Sequence, residues 1–506
     1  MKKNIIVIGA GLGGLFSGAK LAKEGKKVLL IEQHSIPGGC ATVFKRKGYT
    51  FEVGLHELDG LHEGDFKVNI FKDLNIFENV EFLKIPEFYR FTNEQVDIVI
   101  PHDVNQAIKN LVRVFPNEET AIRKYFDVID NFPQEMVKFP TKKWKKLLTY
   151  PFAPMLYPKL VKYQKKSVGD FLDEITKNED LKLVLLANLG YYHDDPYSMS
   201  MTYYCSAQRN YYNGAYYIKG GSQKLSNYLT QVIQDNGGEV LLGHRVEKII
   251  IKNNRAIGVE YKKIKSETKE IKKIYADKIV ANAAIPNIVN NLLSSEEAST
   301  LKTKTSNLEQ ACSLFSIYIG FKKPIKEIGN KHYSTFIFSK EVRNQQDLAK
   351  IYKGDLRTKG FVFVDYSQID TELAPQGKGV GSICTIDYTS SWENLTKEEY
   401  VRKKEEIAQI YFDRLEKVIP GIKQEIDYYE VATPKTIERY TLNPQGTVYG
   451  YAQTIQQSIP NRIKQKSPIE NLYFASAWTF PGGGFGGVIT SGYLCAIGIL
   501  NDQWYG

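Results

Sequence analysis

An apolar run at Asn4–Ile8 stops at a cluster of glycines, and a stretch of small and apolar residues then runs from Leu12 to Glu24 before Gly25. The pattern predicts a short strand followed by a helix with a glycine cap. A second buried strand is predicted at Lys27–Ile31, ending in Glu32, so the chain opens as a βαβ unit with right-handed crossover. After a glycine turn at Gly38-Gly39, residues 48–54 read as strand and turn. Residues 66–215 read as largely helical, with prolines at 140, 151, 154 and 158 breaking the pattern. Past Gly220-Gly221, Ser222 is placed to cap a helix over Gln223–Asp235 that Gly237-Gly238 closes. A strand is predicted at Glu239–Leu242, and a hairpin from Val246–Ile251 and Ala256–Lys262 with Asn253-Asn254 as its turn. Further strands are expected at Ile279–Ala281, Ser313–Phe321, Thr335–Phe338, Gly360–Val364 and Gly381–Tyr388, and a charged helix from Lys397 to Val418. A last buried strand, Leu472–Ala475, runs into the glycine-rich stretch 481–487 and a small-residue helix, Val488–Leu500.

Two glycine segments carry chemistry. Gly9-x-Gly11-x-x-Gly14 follows a strand and opens a helix. Gly9 permits the tight turn, Gly11 lets the backbone approach a pyrophosphate, and Gly14 lets helix and strand pack closely. The pyrophosphate then sits at the positive helix end. Glu32, 18 residues beyond Gly14, is placed to accept bonds from ribose hydroxyls. This motif does not separate FAD from NAD. The far end of the chain does, because it repeats the order of strand, glycine loop and helix. A helix N-terminus aimed at a flavin ring stabilises negative charge as the ring is reduced. The competing reading is a packing turn between strand and helix.

The fold class that follows is α/β, a Rossmann-type, glutathione reductase-like FAD-binding domain with an inserted mixed α+β substrate domain. The nucleotide domain is written in three pieces, 1–65, 218–305 and 465–506. The substrate domain is 66–217, mostly helical and membrane-facing, together with 306–464. The cleft between the domains is the default ligand site.

Taken together, Gly9–Gly14, Glu32, Gly38-Gly39-Cys40, Phe51–Gly54, Gly220-Gly221-Ser222 and Pro481–Gly487 resemble the phytoene desaturase superfamily. Gly38–Phe44, Glu52–His56, Leu373-Ala374-Pro375-x-Gly377, Val431–Pro434 and Gly446-x-x-Tyr449-Gly450 are most similar to its carotenoid isomerase and retinol saturase branch. The resemblance covers essentially the whole chain. It implies FAD bound non-covalently, with contacts from Gly9, Gly11, Gly13, Gly14, Glu32, Gly38, Gly39 and Gly54. It implies adenine contacts near Val246, and Gly486, Gly487 and Val488 beside the flavin ring. It implies saturation, desaturation or cis–trans isomerisation at the double bonds of a carotenoid- or retinoid-like polyene, with an unidentified electron donor or acceptor. The family usually carries Gly-Asp after the last strand. Here Ala475-Ser476-Ala477-Trp478 stands instead, so that carboxylate contact is missing and Ser476 is the candidate to replace part of it.

At 506 residues the chain has room for two or three domains, and 42% hydrophobic with 25% charged residues is the balance of a soluble globular protein. Five cysteines without a Cys-x-x-Cys pair, and seven scattered histidines, argue for a reducing compartment and against a disulfide scaffold or metal site. No stretch reads as the ~18–20 apolar residues of a membrane span. A cytoplasmic protein attached to a membrane face is expected. Nine lysines and no acid lie between Met136 and Lys166, interleaved with aromatic and aliphatic residues. Nucleic-acid binding is disfavoured, because arginine, the preferred base reader, is absent from this segment. A solvated basic face and docking of residues 138–166 on an anionic membrane both remain open.

Catalytic candidates are few. His56 is placed to shuttle a proton as a neutral imidazole, or simply to pack. Cys40 has no basic partner nearby and reads as packing. Tyr191, Tyr192, Tyr203, Tyr204, Tyr211, Tyr212, Tyr216 and Tyr217 line a tunnel for a flat polyene or form ordinary core. Two other readings stay on the table: a flavin amine or porphyrinogen oxidase, and an FAD-free lipid or prenyl carrier on the same fold.

Overall fold

The computed structural model of the chain describes residues 3–140, 142–265, 270–369, 372–502 and 504. Its first sheet has seven strands, drawn from the beginning, the middle and the end of the chain. Lys3–Ile8 runs parallel to Val28–Ile31 on one side and to the second half of Lys272–Ala281 on the other. Glu239–Leu241 and Leu472–Phe474 extend this parallel layer outward. Residues Ile5–Ile8, Val28–Ile31 and Ile279–Ala281 are all buried, as a parallel layer covered on both faces requires. The first half of Lys272–Ala281 leaves the layer and pairs antiparallel with Arg255–Lys263, which in turn pairs with His244–Lys252. Asn253 and Asn254 join that hairpin with φ of 51° and 56°, the left-handed turn that asparagine tolerates.

An opening helix, Leu12–Lys23, lies on the parallel layer and packs against the helix Gln223–Asp235 and a closing helix, Gly484–Asn501. The closing helix begins four residues before the predicted Val488, inside the glycine run. By length and composition it is apolar enough to cross a membrane, contrary to the expectation that no such stretch exists. Its packing explains the composition. A Cβ on Gly492 would overlap the Gly13 carbonyl, and Ile489, Cys495 and Ala496 are fully buried.

The second sheet also has seven strands, in the order Ile426–Ala432, Ser313–Phe321, Gly379–Asp387, Phe361–Asp365, Ser334–Ile337, Tyr89–Thr92, Asp97–Ile100. It is antiparallel except where Tyr89–Thr92 runs alongside Ser334–Ile337. The last two strands, and the short Phe82–Lys84, fall in the region expected to be largely helical. Each has three or four residues, too few for alternation to register. Phe82–Lys84 and Tyr89–Thr92 find partners more than a hundred residues away, and Asp97–Ile100 joins the edge as a hairpin with Tyr89–Thr92. Ile426–Ala432 also went unpredicted.

Glu52 ties the pieces together. Its carboxylate is buried and accepts from Gly54 N–H (3.3 Å), Leu55 N–H (3.2 Å), the Tyr217 hydroxyl (3.2 Å), Ser222 N–H (2.8 Å) and the Ser222 hydroxyl (2.7 Å). Ser222 therefore spends its hydroxyl on Glu52 and makes no side-chain cap for Gln223–Asp235. Burial raises the Glu52 pKa against the pull of these donors. Every contact to the carboxylate is a donor, so an amide in its place turns an NH2 toward N–H and O–H groups. Glu52→Gln is expected to cost about 2 kcal/mol of stability, the order of one buried polar group left unmatched. A urea unfolding midpoint equal to that of the parent would contradict this role.

Candidate active site

A cavity of ≈ 1100 Å³ runs from the ends of the parallel layer to the face of the second sheet. That exceeds the usual ~300–1000 Å³ of a single small-ligand site and leaves room for a cofactor and a second molecule.

At its nucleotide end the wall is built from backbone. Gly11 is the N-cap of the opening helix, and no side chain caps it, so the first-turn N–H groups are left for a ligand. Gly9, Gly11 and Gly13 line the cavity. Gly9 sits at φ 92°, and a Cβ on Gly11 would come within 2.7 Å of Asn282 Nδ2. Gly14 does not line the cavity. A Cβ there would overlap the Gly9 carbonyl, which is the close helix–strand packing expected of it. Glu32 lines the cavity at the end of its strand, with Oε2 accepting from Ala10 N–H (2.6 Å) and Oε1 from His34 N–H (2.7 Å). Those bonds fix the carboxylate while each oxygen keeps a lone pair for another donor. Burial raises its pKa despite these bonds. Val246 lines the same end, beside an irregularity in the hairpin register.

Gly38, Gly39 and Gly54 follow along the wall. Ser476 lines it too, buried, its hydroxyl accepting from Trp478 N–H (3.3 Å) and keeping its own hydrogen to donate. Gly483, the N-cap of the closing helix, again lacks a side-chain cap. Gly484, Phe485 and Val488 of that helix face the cavity, whereas Gly486 and Gly487 do not. A Cβ on Gly486 would lie 2.9 Å from Asp59 Oδ1, and one on Gly487 2.5 Å from the Gly482 carbonyl. Two uncapped helix ends, a side-chain-free approach and a fixed carboxylate make an extended cradle, and these residues fit a bound FAD.

Beyond the cradle the wall turns apolar and aromatic, with Leu314, Tyr318, Phe336, Phe338, Tyr352, Phe361 and Ile386. Of the tyrosine cluster, Tyr191 and Tyr211 line the cavity, while Tyr204 is core, its hydroxyl bonded to Leu185 O and to Tyr125. The cluster is thus divided between the cavity wall and the core. Val431, Ala432 and Tyr449 also line the wall. Burial raises the Cys40 thiol to about 11, so it is no nucleophile at neutral pH.

His56 and Glu57 stand together on the wall. Burial pushes the His56 pKa down to about 4, so the ring is neutral at pH 7. Glu57 was not singled out in the sequence. Burial holds its carboxyl well above the usual carboxylate range, and the nearby Glu87 and Asp59 add to that. Its one signal was an ionisable residue directly after the His56 motif and before a buried leucine. No group of three or more His, Cys, Asp or Glu able to hold a metal occurs among the described residues.

Residues 12–500 match the family described as flavin containing amine oxidoreductase. The chain is 28% identical to an all-trans-retinol 13,14-reductase of Danio rerio, over 98% of this chain and 86% of that protein. It is 25% identical to a chloroplastic prolycopene isomerase of Daucus carota, over 98% of this chain and 80% of that protein. Among solved structures, an oxidoreductase of Methanosarcina mazei superposes with a TM-score of 0.61 at 18% identity, covering 98% of this chain and 99% of the other. That likeness shows the fold.

The His56 pKa has a consequence for stability. Between its ordinary 6.5 and about 4, the folded protein binds fewer protons than the unfolded chain, so stability falls as pH drops through that window. His56→Gln is expected to flatten this part of the acid dependence, measured by urea unfolding at stepped pH. An unchanged slope between pH 6.5 and 4 would count against a neutral, buried ring.

Proposed function

Because the chain belongs to the family of flavin containing amine oxidoreductases, an enzyme family whose cofactor here is FAD, we propose that it acts on the carbon–carbon double bonds of a carotenoid- or retinoid-like polyene. The observation that carries this reading is the apolar, aromatic inner cavity continuous with the cofactor cradle. The whole-length similarity to a retinol reductase and a prolycopene isomerase supports it.

Bound FAD supplies the two-electron chemistry. The chain's own residues bind and orient. The first-turn N–H groups of the opening helix hold the pyrophosphate, Glu32 takes ribose hydroxyls, and Val246 flanks the adenine. Gly484, Phe485 and Val488 bring the positive end of the closing helix to the ring. Ser476 offers one hydroxyl where relatives of this type carry a carboxylate. Tyr191, Tyr211 and Phe336 hold a flat chain in place, and the apolar wall keeps water out. Trp478, which an amine-oxidising reading would put in an aromatic cage, borders the cavity but is 2% exposed, with its ring perpendicular to that of Tyr451, 4.9 Å away.

The protein works from a membrane surface in this reading, on the reducing side that five free cysteines favour. The short helices Lys143–Thr149, Ala153–Leu156 and Pro158–Tyr163 carry exposed apolar side chains, among them Trp144 (60%), Leu147 (75%), Leu148 (65%) and Met155 (73%). The basic charge is less than the segment alone implies. Lys159 pairs with Asp127, and Lys162 and Lys166 both pair with Glu174. Lys138, Lys142, Lys145 and Lys165 are exposed around the apolar surface. At roughly 1 kcal/mol per lysine against anionic lipid, they add to apolar insertion and make it sensitive to salt.

Two measurements test these assignments. The purified protein is expected to show flavin absorption and, under anaerobic reduction, to change the spectrum or isomer profile of an added polyene. A shift to shorter wavelength means saturation, one to longer wavelength desaturation, and an isomer change alone isomerisation. Full flavin loading with no polyene affected would reject the reading. For the membrane, wild type should co-float with phosphatidylserine vesicles and Trp144→Glu/Leu147→Glu/Leu148→Glu should not, at unchanged flavin content. Equal flotation would remove the docking surface.

A further inference from the structure

Among the described residues five carboxylates line the cavity, and four of them are engaged. Glu32 takes two backbone N–H groups, Glu247 pairs with Arg245, Glu430 with Arg46, and Glu438 accepts from Gln445 N–H. Glu57 is the exception. It is 6% exposed and has no ion pair among the described residues, and its Oε2 has no well-aligned hydrogen-bond partner, although the Ser334 hydroxyl, also unpartnered, lies close enough to steady the charged form. Its Oε1 has a long contact, 3.4 Å, from the Tyr191 hydroxyl. The His56 ring stands 5.8 Å from that of Tyr191. The heads of Glu57, Tyr191 and His56 thus meet beside the Ser334 hydroxyl, in a wall that Phe336 and Tyr211 complete.

The backbone that presents them is held. Glu52 binds the N–H groups of Gly54 and Leu55, the Tyr366 hydroxyl donates to Leu55 O (3.1 Å), and the Tyr333 hydroxyl donates to His56 O (2.6 Å). The cluster also lies near the ring end of the cradle. Gly190, next to Tyr191, accepts from the Tyr449 hydroxyl (3.3 Å), and the Tyr449 backbone packs against Gly483. A pinned turn that displays an unmatched carboxyl does not serve a purely hydrocarbon ligand, because an unsatisfied buried polar group costs on the order of 1–3 kcal/mol.

We propose that Glu57, with Tyr191 and His56, forms a polar subsite that binds the hydroxyl group of an otherwise hydrocarbon polyene. A neutral carboxyl has one hydrogen to give and one oxygen to accept with, and an alcohol matches both. The inference rests on the polyene reading and narrows it, since a site built to bond an oxygen rejects the analogue that lacks one. A substrate amine is the competing occupant, because an ammonium would pair with the ionised carboxylate.

The test is equilibrium binding to the oxidised, FAD-loaded enzyme, read from perturbation of the flavin bands without turnover. The probes are all-trans-retinol, its deoxy hydrocarbon and the corresponding primary amine. Wild type should bind the alcohol about tenfold or more tightly than the hydrocarbon. Glu57→Gln, which keeps a donor and an acceptor, should retain that preference. Glu57→Leu should abolish it by weakening the alcohol alone, and Tyr191→Phe should reduce it. Flavin content checks that each variant is folded. Equal alcohol affinity in wild type and Glu57→Leu would overturn the subsite. So would an amine that binds wild type best and loses its affinity in Glu57→Gln. If wild type, fully loaded with flavin, binds none of the three, the polyene reading itself fails.

Discussion

The fold depends on one buried carboxylate, that of Glu52. Its five donors come from the turn that follows it, from Tyr217 and from Ser222 at the head of a helix some 170 residues later. A carboxyl buried in that position is tolerable because each oxygen is met by donors. The reward is geometric. The turn it fixes is the one that sets Gly54, His56 and Glu57 against the cavity. The helix it anchors is the one that packs on the opening helix, whose end forms the cradle. Cofactor end and substrate end are held to each other through this group.

Much of the architecture was legible from local pattern. The helix Gln223–Asp235, the strand Ser313–Phe321 and the helix Lys397–Val418 stand where periodicity and punctuation put them. Much of what escaped was non-local. Tyr89–Thr92 is a strand because the second sheet offers it an edge, and Asp97–Ile100 follows by folding back on it, not because four residues declare a period. Ser222 looked like a cap, and its hydroxyl was taken by a distant carboxylate. The closing helix looked too short and too rich in glycine to count as an apolar span, yet its helical turns begin within the glycines themselves.

The candidate site divides in the same way. The glycine cradle and Glu32 could be named from spacing, since backbone approach to a phosphate imposes a fixed order of small residues. Glu57 could not, because an ordinary surface glutamate and a desolvated one are written alike. Burial, with Tyr191 and Ser334 brought in from far along the chain and the charges of Glu87 and Asp59 nearby, changes its chemistry. The lysine-rich segment makes the opposite point. Its sequence reads as a block of nine positive charges, and folding brings Asp127 and Glu174 from flanking helices to offset part of it. What remains is an apolar surface ringed by a few cations, a different object from a basic patch.

The parallel layer takes Leu472–Phe474 onto the free side of Lys272–Ala281, and the closing helix then lays its N-terminus beside the cavity. The order of synthesis makes this arrangement consequential. A nascent chain exposes the first glycine turn almost at once, but the wall opposite it consists of residues translated more than 450 positions later. Until those emerge, the cavity lacks Ser476, Gly484, Phe485 and Val488 from its wall. The cradle is therefore complete only when the last strand and the closing helix are in place.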